Sequence, residues 1–375
     1  MHVLIVSGIW PPDVGGPASH APEAAAYLHG RGHRVEVVTT AERAPERKPY
    51  PVHWVSRSLP PGARHAAGVL AVTRHARRAD VVYSTGMLGR TAAGALATRT
   101  PYVAKLTQDP AFERARWRGI VGGGADEFQH GGGLRVRLLR SARDAELRGA
   151  AHVLCPSAYL RGLVVSWGVP AERVSVLPNP APRPSHLPDR DELRRRLEFD
   201  GPTLAFAGRL TAAKALDVAL DALAQVDGVA LVLAGNGEER AALERRVGEL
   251  GLDGRVLFLG AQPRERVLEL FHAADAAVLS SSWENFPHAA VEALTVGTPV
   301  VATDVGGVRE IVDDGTNGLV VPAGDVGAFA GAIRRVAGDA SLRERLRAGA
   351  AGSAERFAPE KLLPELEAVL ERAVR

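Results

Sequence analysis

The feature that most constrains this chain is an alternation, running from end to end, of short β-branched segments with longer stretches of helical period. In the first half the short segments are VLIVSG (3–8), RVEVVTT (34–40), ADVVYST (79–85), YVAKLT (102–107) and AHVLCPS (151–157). Helical patterns lie between them, as at 17–30, where Gly30 and Gly32 mark the end, and at 64–78. The second half repeats the rhythm with TLAFAG, VALVLAG, RVLFLG, DAAVLSS and PVVATD. A strand that is apolar on both faces must be covered on both, and strands separated by helices are joined by crossovers. A parallel sheet flanked by helices meets both conditions. Two such series in 375 residues predict an α/β protein of two doubly wound, Rossmann-like domains.

The boundary between them shows as a change of composition. Residues 178–190, PNPAPRPSHLPDR, are proline-rich, carry no period and read as an extended connector. This gives an N-terminal domain over 1–180 and a C-terminal domain over 181–358. A last helical pattern within 359–375 is expected to pack back on the N-terminal domain. The glycine-rich piece 119–134 reads as the one long irregular insert.

Composition removes whole classes of protein. With 46% hydrophobic and 24% charged residues, disordered and fibrous architectures are excluded. No apolar run approaches the ~18 residues of a spanning helix. The start, MHVLIVSGIWPP, has no basic n-region or small-residue cleavage site and reads as a buried strand, not a signal peptide. The single cysteine, Cys155, falls in a buried strand, where an inert thiol is expected, and it leaves no internal disulfide or multi-cysteine zinc site. A cytoplasmic protein is expected, with at most peripheral contact at the inner membrane face.

The formal net charge of +3 hides a division. Residues 1–180 hold 23 basic against 13 acidic side chains, and residues 181–375 hold 23 against 30. Lysine occurs only at Lys48, Lys105, Lys214 and Lys361, so nearly all the basic charge is arginine. That bias, with the alanine and glycine richness, suits a GC-rich genome. The basic half lacks arginine runs interleaved with aromatics, which argues against nucleic acid and for an anionic small partner or a membrane surface.

Ligands of open α/β sheets bind beyond the carboxyl ends of the strands. Two segments there carry charge in an informative pattern. In 280–322, Glu284 follows a strand and a small-residue turn, and helical period resumes near Pro287, a favoured first-turn residue. Glu292 then lies about a turn inside that helix, between Val291, Ala293 and Leu294. A helix start offers free backbone N–H groups to a diphosphate, and carboxylates accept hydrogen bonds from sugar hydroxyls. Solvated helix-start charges are the plainer account of both glutamates. In 206–223, Gly208 ends a strand, Arg209 follows at once, and Lys214 stands at a helix start. Cations are disfavoured at helix N-termini, so this pair suggests an anion between them. Ordinary surface charges on a loop are the competing account.

The succession GRL, Lys214, LAGNGEE, FLG, WENFPHAAVEALTVGTPVVATDVGGVREIV and NGLVVP resembles the retaining family 4 glycosyltransferases of GT-B fold, across nearly all of 201–325. MHVLIVSGIWPPDVGGPASH is similar to the family's first strand and Gly-Gly loop, and ADVVYST, AHVLCPSAYLRGLVVSWGV and VSVLPNP fall where members carry similar segments. The resemblance implies two Rossmann-like domains facing each other across a cleft. It implies that Arg209 and Lys214 neutralise a nucleotide diphosphate, that Glu292 binds the ribose, and that Glu284 contacts the donor sugar. The backbone of Phe286, Pro287 and His288 would flank sugar and phosphate, although Pro287 has no N–H to give. Gly15 and Gly16 would approach the diphosphate, while Gly208, Gly235, Asn236 and Gly260 would line the base and phosphate side.

There are departures from the family pattern. VAKLTQDPAFERA lacks the histidine that many members carry near the reacting carbon. It is more similar to a subset that puts Lys105, Asp109 and Glu113 in register, which makes Asp109 the candidate polar group beside the acceptor. A turn-forming aspartate before Pro110 is the alternative. Ala215 replaces the glycine usual after the lysine. Outside the family pattern, Asp189 and Asp191 form an Asp-x-Asp triplet ahead of a helix, where N-capping outweighs metal binding. His20 is expected either to reach the cleft or to lie on a helix surface. Residues 64–78 read either as an amphipathic helix or as a membrane-resting one.

Taken together, the expected activity is metal-independent, retaining transfer of a hexosyl group from a nucleotide diphosphate sugar to an acceptor hydroxyl. Arg209, Lys214, Glu284 and Asp109 are the expected catalytic groups. No cofactor and no metal are expected, the nucleotide sugar being a co-substrate. The acceptor would be an anionic or lipid-linked envelope glycan precursor or a secondary metabolite. A nucleotide-sugar epimerase or hydrolase, or a non-catalytic nucleotide-sugar sensor, are the rival readings.

Overall fold

The computed structural model describes residues 1–13, 16–121, 125–181, 184 and 186–375, among them no helix long and apolar enough to cross a membrane. The chain separates into two compact units. One comprises Met1–Pro180 with Glu360–Arg375, the other Ala181–Pro359.

The first unit is built on a seven-stranded, wholly parallel sheet of β1 (His2–Val6), β2 (Arg34–Ala41), β3 (Val52–Ser56), β4 (Val81–Ser84), β5 (Tyr102–Lys105), β6 (His152–Cys155) and β7 (Val174–Val176). The order is β3-β2-β1-β4-β5-β6-β7, so the direction of winding reverses between β1 and β4. The central strands are mostly apolar because helices cover both faces. Val3, Leu4, Ile5 and Val6 are all fully buried, two against each layer. The sequence pattern missed β3 and β7. Both are edge strands, one half-exposed and one of three residues, and edges do not require a continuous apolar run.

The second unit repeats the plan with six parallel strands: β8 (Thr203–Ala207), β9 (Ala230–Ala234), β10 (Val256–Gly260), β11 (Ala276–Leu279), β12 (Val300–Thr303) and β13 (Gly318–Val321). Their order is β10-β9-β8-β11-β12-β13, and winding reverses between β8 and β11. Here too the strand missed from periodicity, the four-residue β13, lies at an edge.

The helix Pro359–Val374 belongs to the first unit. Leu362, Leu363, Leu366, Val369 and Leu370 join the core that holds Val3, Ile5 and Trp10, and Glu367 accepts hydrogen bonds from Tyr27 Oη (2.9 Å) and His33 Nε2 (2.7 Å). The glycine-rich insert is not wholly irregular. Ala125–His130 forms a short helix, for which the flanking glycines mask the periodic signal. Asp189 caps the helix Arg190–Arg196, accepting from the backbone N–H groups of Asp191 and Glu192, which is the capping reading of that triplet. The 64–78 pattern is the helix Pro61–Ala76, with Gly68, Val72 and Ala76 facing inward.

One buried charge in the first unit has a thermodynamic consequence. Lys105 ends β5, its ammonium is buried, and it donates to the carbonyl of Leu177. Burial pulls its pKa down to about 7 and pushes the neighbouring Cys155 thiol up to about 12, so that thiol is inert. Between about pH 7 and pH 10.5 the unfolded chain therefore holds a proton that the folded chain has lost, and this site's contribution to stability rises with pH by at most about 1.4 kcal/mol per unit. Lys105→Met removes that dependence. Thermal melts should show the variant's Tm, relative to the parent's, falling steadily as pH is raised across this window. A constant difference would contradict a strongly lowered pKa.

Candidate active site

The reversal point of the second sheet is where its charged loops meet. β8 runs into Gly208, whose φ of 154° favours glycine, and Gly208 N–H donates to Ala234 O (3.0 Å) at the end of β9. The pairing continues past the strands, with Leu210 N–H to Asn236 O at 3.0 Å and Glu239 N–H to Leu210 O at 3.1 Å. Such close approach requires bare backbone. A Cβ on Gly235 would stand 1.8 Å from Gly208 O, and one on Gly237 would stand 2.0 Å from Leu210 O. Gly260, at the end of β10, has φ 69° and lies beside the Asn236 side chain. Asn236 itself accepts from Arg240 Nη1 at 3.0 Å.

This interlock sets the course of the β8 loop. Lys214 closes the single 3-10 turn Ala212–Lys214, and Ala215 follows in the left-handed region at φ 42°. The alanine that stands here in place of glycine is therefore a strained L-residue at a position glycine would fill without strain. From the other side of the reversal, the turn after β11 grips the same loop. Ser280 Oγ donates to Lys214 O (2.9 Å), and Ser282 N–H donates to Ala213 O (3.0 Å). Ser281 Oγ donates to Glu284 Oε1 (2.7 Å), and Lys214 Nζ meets the same oxygen at 2.5 Å. Thr303 Oγ1, at the end of β12, holds Ser281 O (2.6 Å). The Glu284 carboxylate is buried and Lys214 is half-buried, while Arg209 is exposed and forms no ion pair among the described residues.

Glu292 lies in the first turns of the helix His288–Thr295, which starts after Pro287. Burial pushes its pKa up, and Arg264 opposes the rise with Nε 3.1 Å from Oε1. The Phe286 ring is core material, packed edge-on against Phe357 and His288, so this residue can offer a ligand only its backbone.

The structure thus joins Lys214 and Glu284 directly and places Arg209, Gly208, Gly235, Asn236 and Gly260 on the adjoining strand-end loops. Gly15 lies outside the described residues, and Gly16 is the first residue of the helix Gly16–Gly30. Asp109, in the first unit, is a different case from the expectation that it faces an acceptor. It is 3% exposed, its Oδ1 caps the helix Pro110–Trp117 through Ala111 and Phe112 N–H, and its Oδ2 accepts from Arg143 Nη1 (2.7 Å) and Gln129 Nε2 (2.9 Å). The buried Arg143 guanidinium also lies 3.7 Å over the Trp167 ring. With both oxygens engaged by the protein, this carboxylate is built as a structural pivot. His20 neither sits on a helix surface nor stands open: it is buried, with Nε2 2.6 Å from Tyr83 Oη. Sequence reasoning missed the three serines and Arg264. The run SSS ahead of Glu284 was the available signal for the former, while nothing local marks Arg264 as the partner of a residue 28 positions on.

Comparison with known proteins agrees with this architecture. Residues 189–352 match the family model described as glycosyl transferases group 1, and residues 15–180 match the glycosyl transferase 4-like domain. Together the two matches take in most of the chain, which belongs to the family 4 glycosyltransferases of GT-B fold. A D-inositol 3-phosphate glycosyltransferase of Nocardia farcinica is 36% identical over 231 residues, 56% of this chain and 51% of that protein. An alpha-D-kanosaminyltransferase of Streptomyces kanamyceticus is 34% identical over 167 residues, 43% of each chain. The chain spans about half the length of the curated relatives it matches. Among solved structures, Anabaena Alr3699/HepE in complex with UDP shares the fold with a TM-score of 0.80 at 23% identity, covering 99% of this chain and 100% of that one. Sucrose-phosphate synthase from Thermosynechococcus elongatus gives 0.83 at 20% identity over 99% and 98%.

Two substitutions test the geometry without reference to chemistry. Gly235→Ala should cost about 3 kcal/mol or more, because the clash is with backbone rather than a movable side chain. Ala215→Gly should instead stabilise by about 0.5–1 kcal/mol by releasing left-handed strain. Denaturant titration reads both, and a destabilised Ala215→Gly would contradict the strained loop.

Proposed function

We propose that this chain transfers a hexosyl group from a nucleotide diphosphate sugar to an acceptor hydroxyl, with retention of anomeric configuration and without a metal at the donor site. The observation that carries this reading is the Arg209–Lys214–Glu284 arrangement at the reversal point of a doubly wound sheet. A guanidinium with no ion pair among the described residues and an ammonium stand there beside loops held together by bare backbone. The relatives named for glycosyl transfer and the UDP-bound fold neighbours support it.

The chemical demand is charge. As the bond between the anomeric carbon and the diphosphate oxygen breaks, negative charge collects on the leaving group and positive charge on the sugar. Arg209 and Lys214 stabilise the departing diphosphate, and donor phosphate competes with Glu284 for the Lys214 ammonium. Glu284 then accepts hydrogen bonds from donor sugar hydroxyls, and Glu292, steadied by Arg264, accepts from the ribose. The start of helix His288–Thr295 adds dipole and N–H groups. In the retaining step the acceptor oxygen bonds to the same face of the anomeric carbon, and its proton passes to the departing phosphate oxygen. Asp109, with its oxygens occupied, acts as a positioning residue for the helix Pro110–Trp117. The basic composition of residues 1–180 suits an anionic or lipid-linked acceptor, reached by peripheral association with a membrane, and not a nucleic acid.

Thermal shifts with UDP-, GDP-, ADP- and dTDP-sugars, each measured against an EDTA-only reference, test the donor site. One nucleotide family, UDP by analogy with the bound neighbours, should raise Tm in EDTA, and a donor at about 100 Kd adds about 2.7 kcal/mol. Lys214→Ala should abolish the shift and lower turnover by about 10²–10³-fold. Stabilisation by none of the four, or unchanged turnover in Lys214→Ala, would overturn the assignment. Donor consumption without an acceptor would move the reading to a hydrolase or epimerase, and binding without turnover in any mixture would move it to a sensor.

A further inference from the structure

Three helices of the first unit lie side by side on one face of its sheet. They are Pro61–Ala76, Leu88–Thr98 and Leu134–Arg148, and their Val72, Ala95 and Leu147 enter the same core as Leu4, Val38 and Val82. The outer sides of these helices carry apolar residues that the core does not use. Among the described residues, the four most exposed large apolar side chains are Leu96 (81%), Leu70 (70%), Leu134 (65%) and Leu138 (61%), and all four stand on this layer. The next, Leu257 at 52%, belongs to the second unit. A single exposed leucine needs no explanation, but leucines gathered on one face mark a contact surface. Leu134 and Leu138 are one turn apart and form a stripe on the side of their helix away from the buried Val136, Leu139 and Leu147. Beside them, Ile120, Leu138 and Leu139 line a surface depression of about 390 Å³ edged by Arg118 and Arg135.

Charge on this layer has one sign. The helices Pro61–Ala76 and Leu88–Thr98 contain no acidic residue. The two in Leu134–Arg148 are already held, Asp144 by Arg143 at 2.8 Å and Glu146 by Arg114 at 2.7 Å. Arg74, Arg99, Arg135 and Arg137 are exposed and form no ion pair among the described residues. On the second unit, by contrast, Arg196, Arg240 and Arg246 each pair with a carboxylate. Apolar side chains flanked by uncompensated guanidinium groups fit a surface that is anionic outside and hydrocarbon beneath, which is that of an acidic lipid bilayer. A second copy of this chain would set the same arginines against one another, so charge disfavours self-association through this face.

We propose that the outer face of these three helices docks on an anionic lipid bilayer, with Leu134 and Leu138 entering the interface and Arg135 and Arg137 meeting headgroup phosphates. This deepens the peripheral association put forward above and rests on that part of it alone, independent of the donor chemistry. The leucine stripe occupies the first turns of its helix, and helices between parallel strands begin near the strand carboxyl ends, where ligands of such sheets bind. Docking through this stripe therefore brings that end of the first sheet to the membrane, within reach of a lipid-linked acceptor.

The test is co-sedimentation of the full chain with vesicles of phosphatidylcholine alone, and with vesicles in which about one lipid in four is phosphatidylglycerol. The parent should pellet with the anionic vesicles, stay in solution with the neutral ones, and be released by added salt. Leu134→Gln/Leu138→Gln should weaken partitioning at least tenfold at fixed salt. Arg135→Gln/Arg137→Gln should weaken it by about fivefold per arginine and flatten the salt dependence. All four side chains are exposed, so both variants should fold and keep the parent's donor-induced thermal shift. Vesicle binding without any donor shift would fail the donor reading alone. Leu257→Gln, on the second unit, should bind vesicles as the parent does. A parent that ignores anionic vesicles would overturn the proposal, as would parent-like binding by the leucine variant. So would a concentration-dependent dimer that Leu134→Gln/Leu138→Gln abolishes, found without vesicle binding, which would make this face an interface between copies.

Discussion

The second unit depends on the contact of two loop backbones. Gly235 and Gly237 let the chain leaving β9 lie against the chain leaving β8 at separations that exclude any side chain, and three backbone hydrogen bonds extend the sheet's pairing past its last strand residues. Fixing the β8 loop this way costs little side-chain entropy and leaves its charged residues out of the structural work. Arg209 can then be exposed, and Lys214 can emerge from a single 3-10 turn at the sheet's reversal point. The left-handed Ala215 belongs to the same constraint. A loop pinned at Leu210 and again at Lys214 has few backbone conformations left, and an alanine is held where it would not settle unaided.

The Lys214–Glu284 pair is a weak stability device. A half-buried ion pair returns little net stability, because each charge loses hydration roughly in proportion to the attraction it gains. Three serine contacts nonetheless hold the two loops in register, so the pair is kept at a fixed place at some energetic cost. Asp109 and Arg143 make the opposite case. Both are buried, the carboxylate has four donors among the described residues, and the guanidinium lies on Trp167. The two carboxylates look alike in the sequence, each following a strand and preceding a helix, and they differ only in how many of their acceptor positions the protein has filled.

This difference marks where the sequence stops being legible. The parallel sheets, the order of strands and helices and the charged loops follow from periodicity and from glycine and proline placement, because those signals are local. The edge strands β3, β7 and β13 escaped because an edge tolerates polar and short runs. Arg143 could not be read as the partner of Asp109, nor Arg264 as that of Glu292, since each pairing joins separate helices and is set by how those helices pack. The cluster of His2, His53 and His75 around the Glu36 carboxylate was equally invisible. Its members come from three strands and a helix and are spread over more than seventy residues.

The placement of that last cluster follows from the geometry of parallel sheets. All strands of the first unit point one way, so its carboxyl end gathers the loops that vary with function, and its amino end gathers helix C-termini and the first residues of strands. The amino end is where polar groups can be committed to holding the fold together without interfering with a ligand. Glu36 uses that freedom: a buried carboxylate in the third position of a strand is costly unless cations surround it, and histidine and arginine residues approach it from β1, β2, β3 and the helix Pro61–Ala76. The same asymmetry explains why the lone lysine of the second unit sits at the other end of its sheet. Lysine is scarce in this chain and arginine carries most structural pairings, whereas Lys214, a compact ammonium at the strand carboxyl ends, pairs with Glu284.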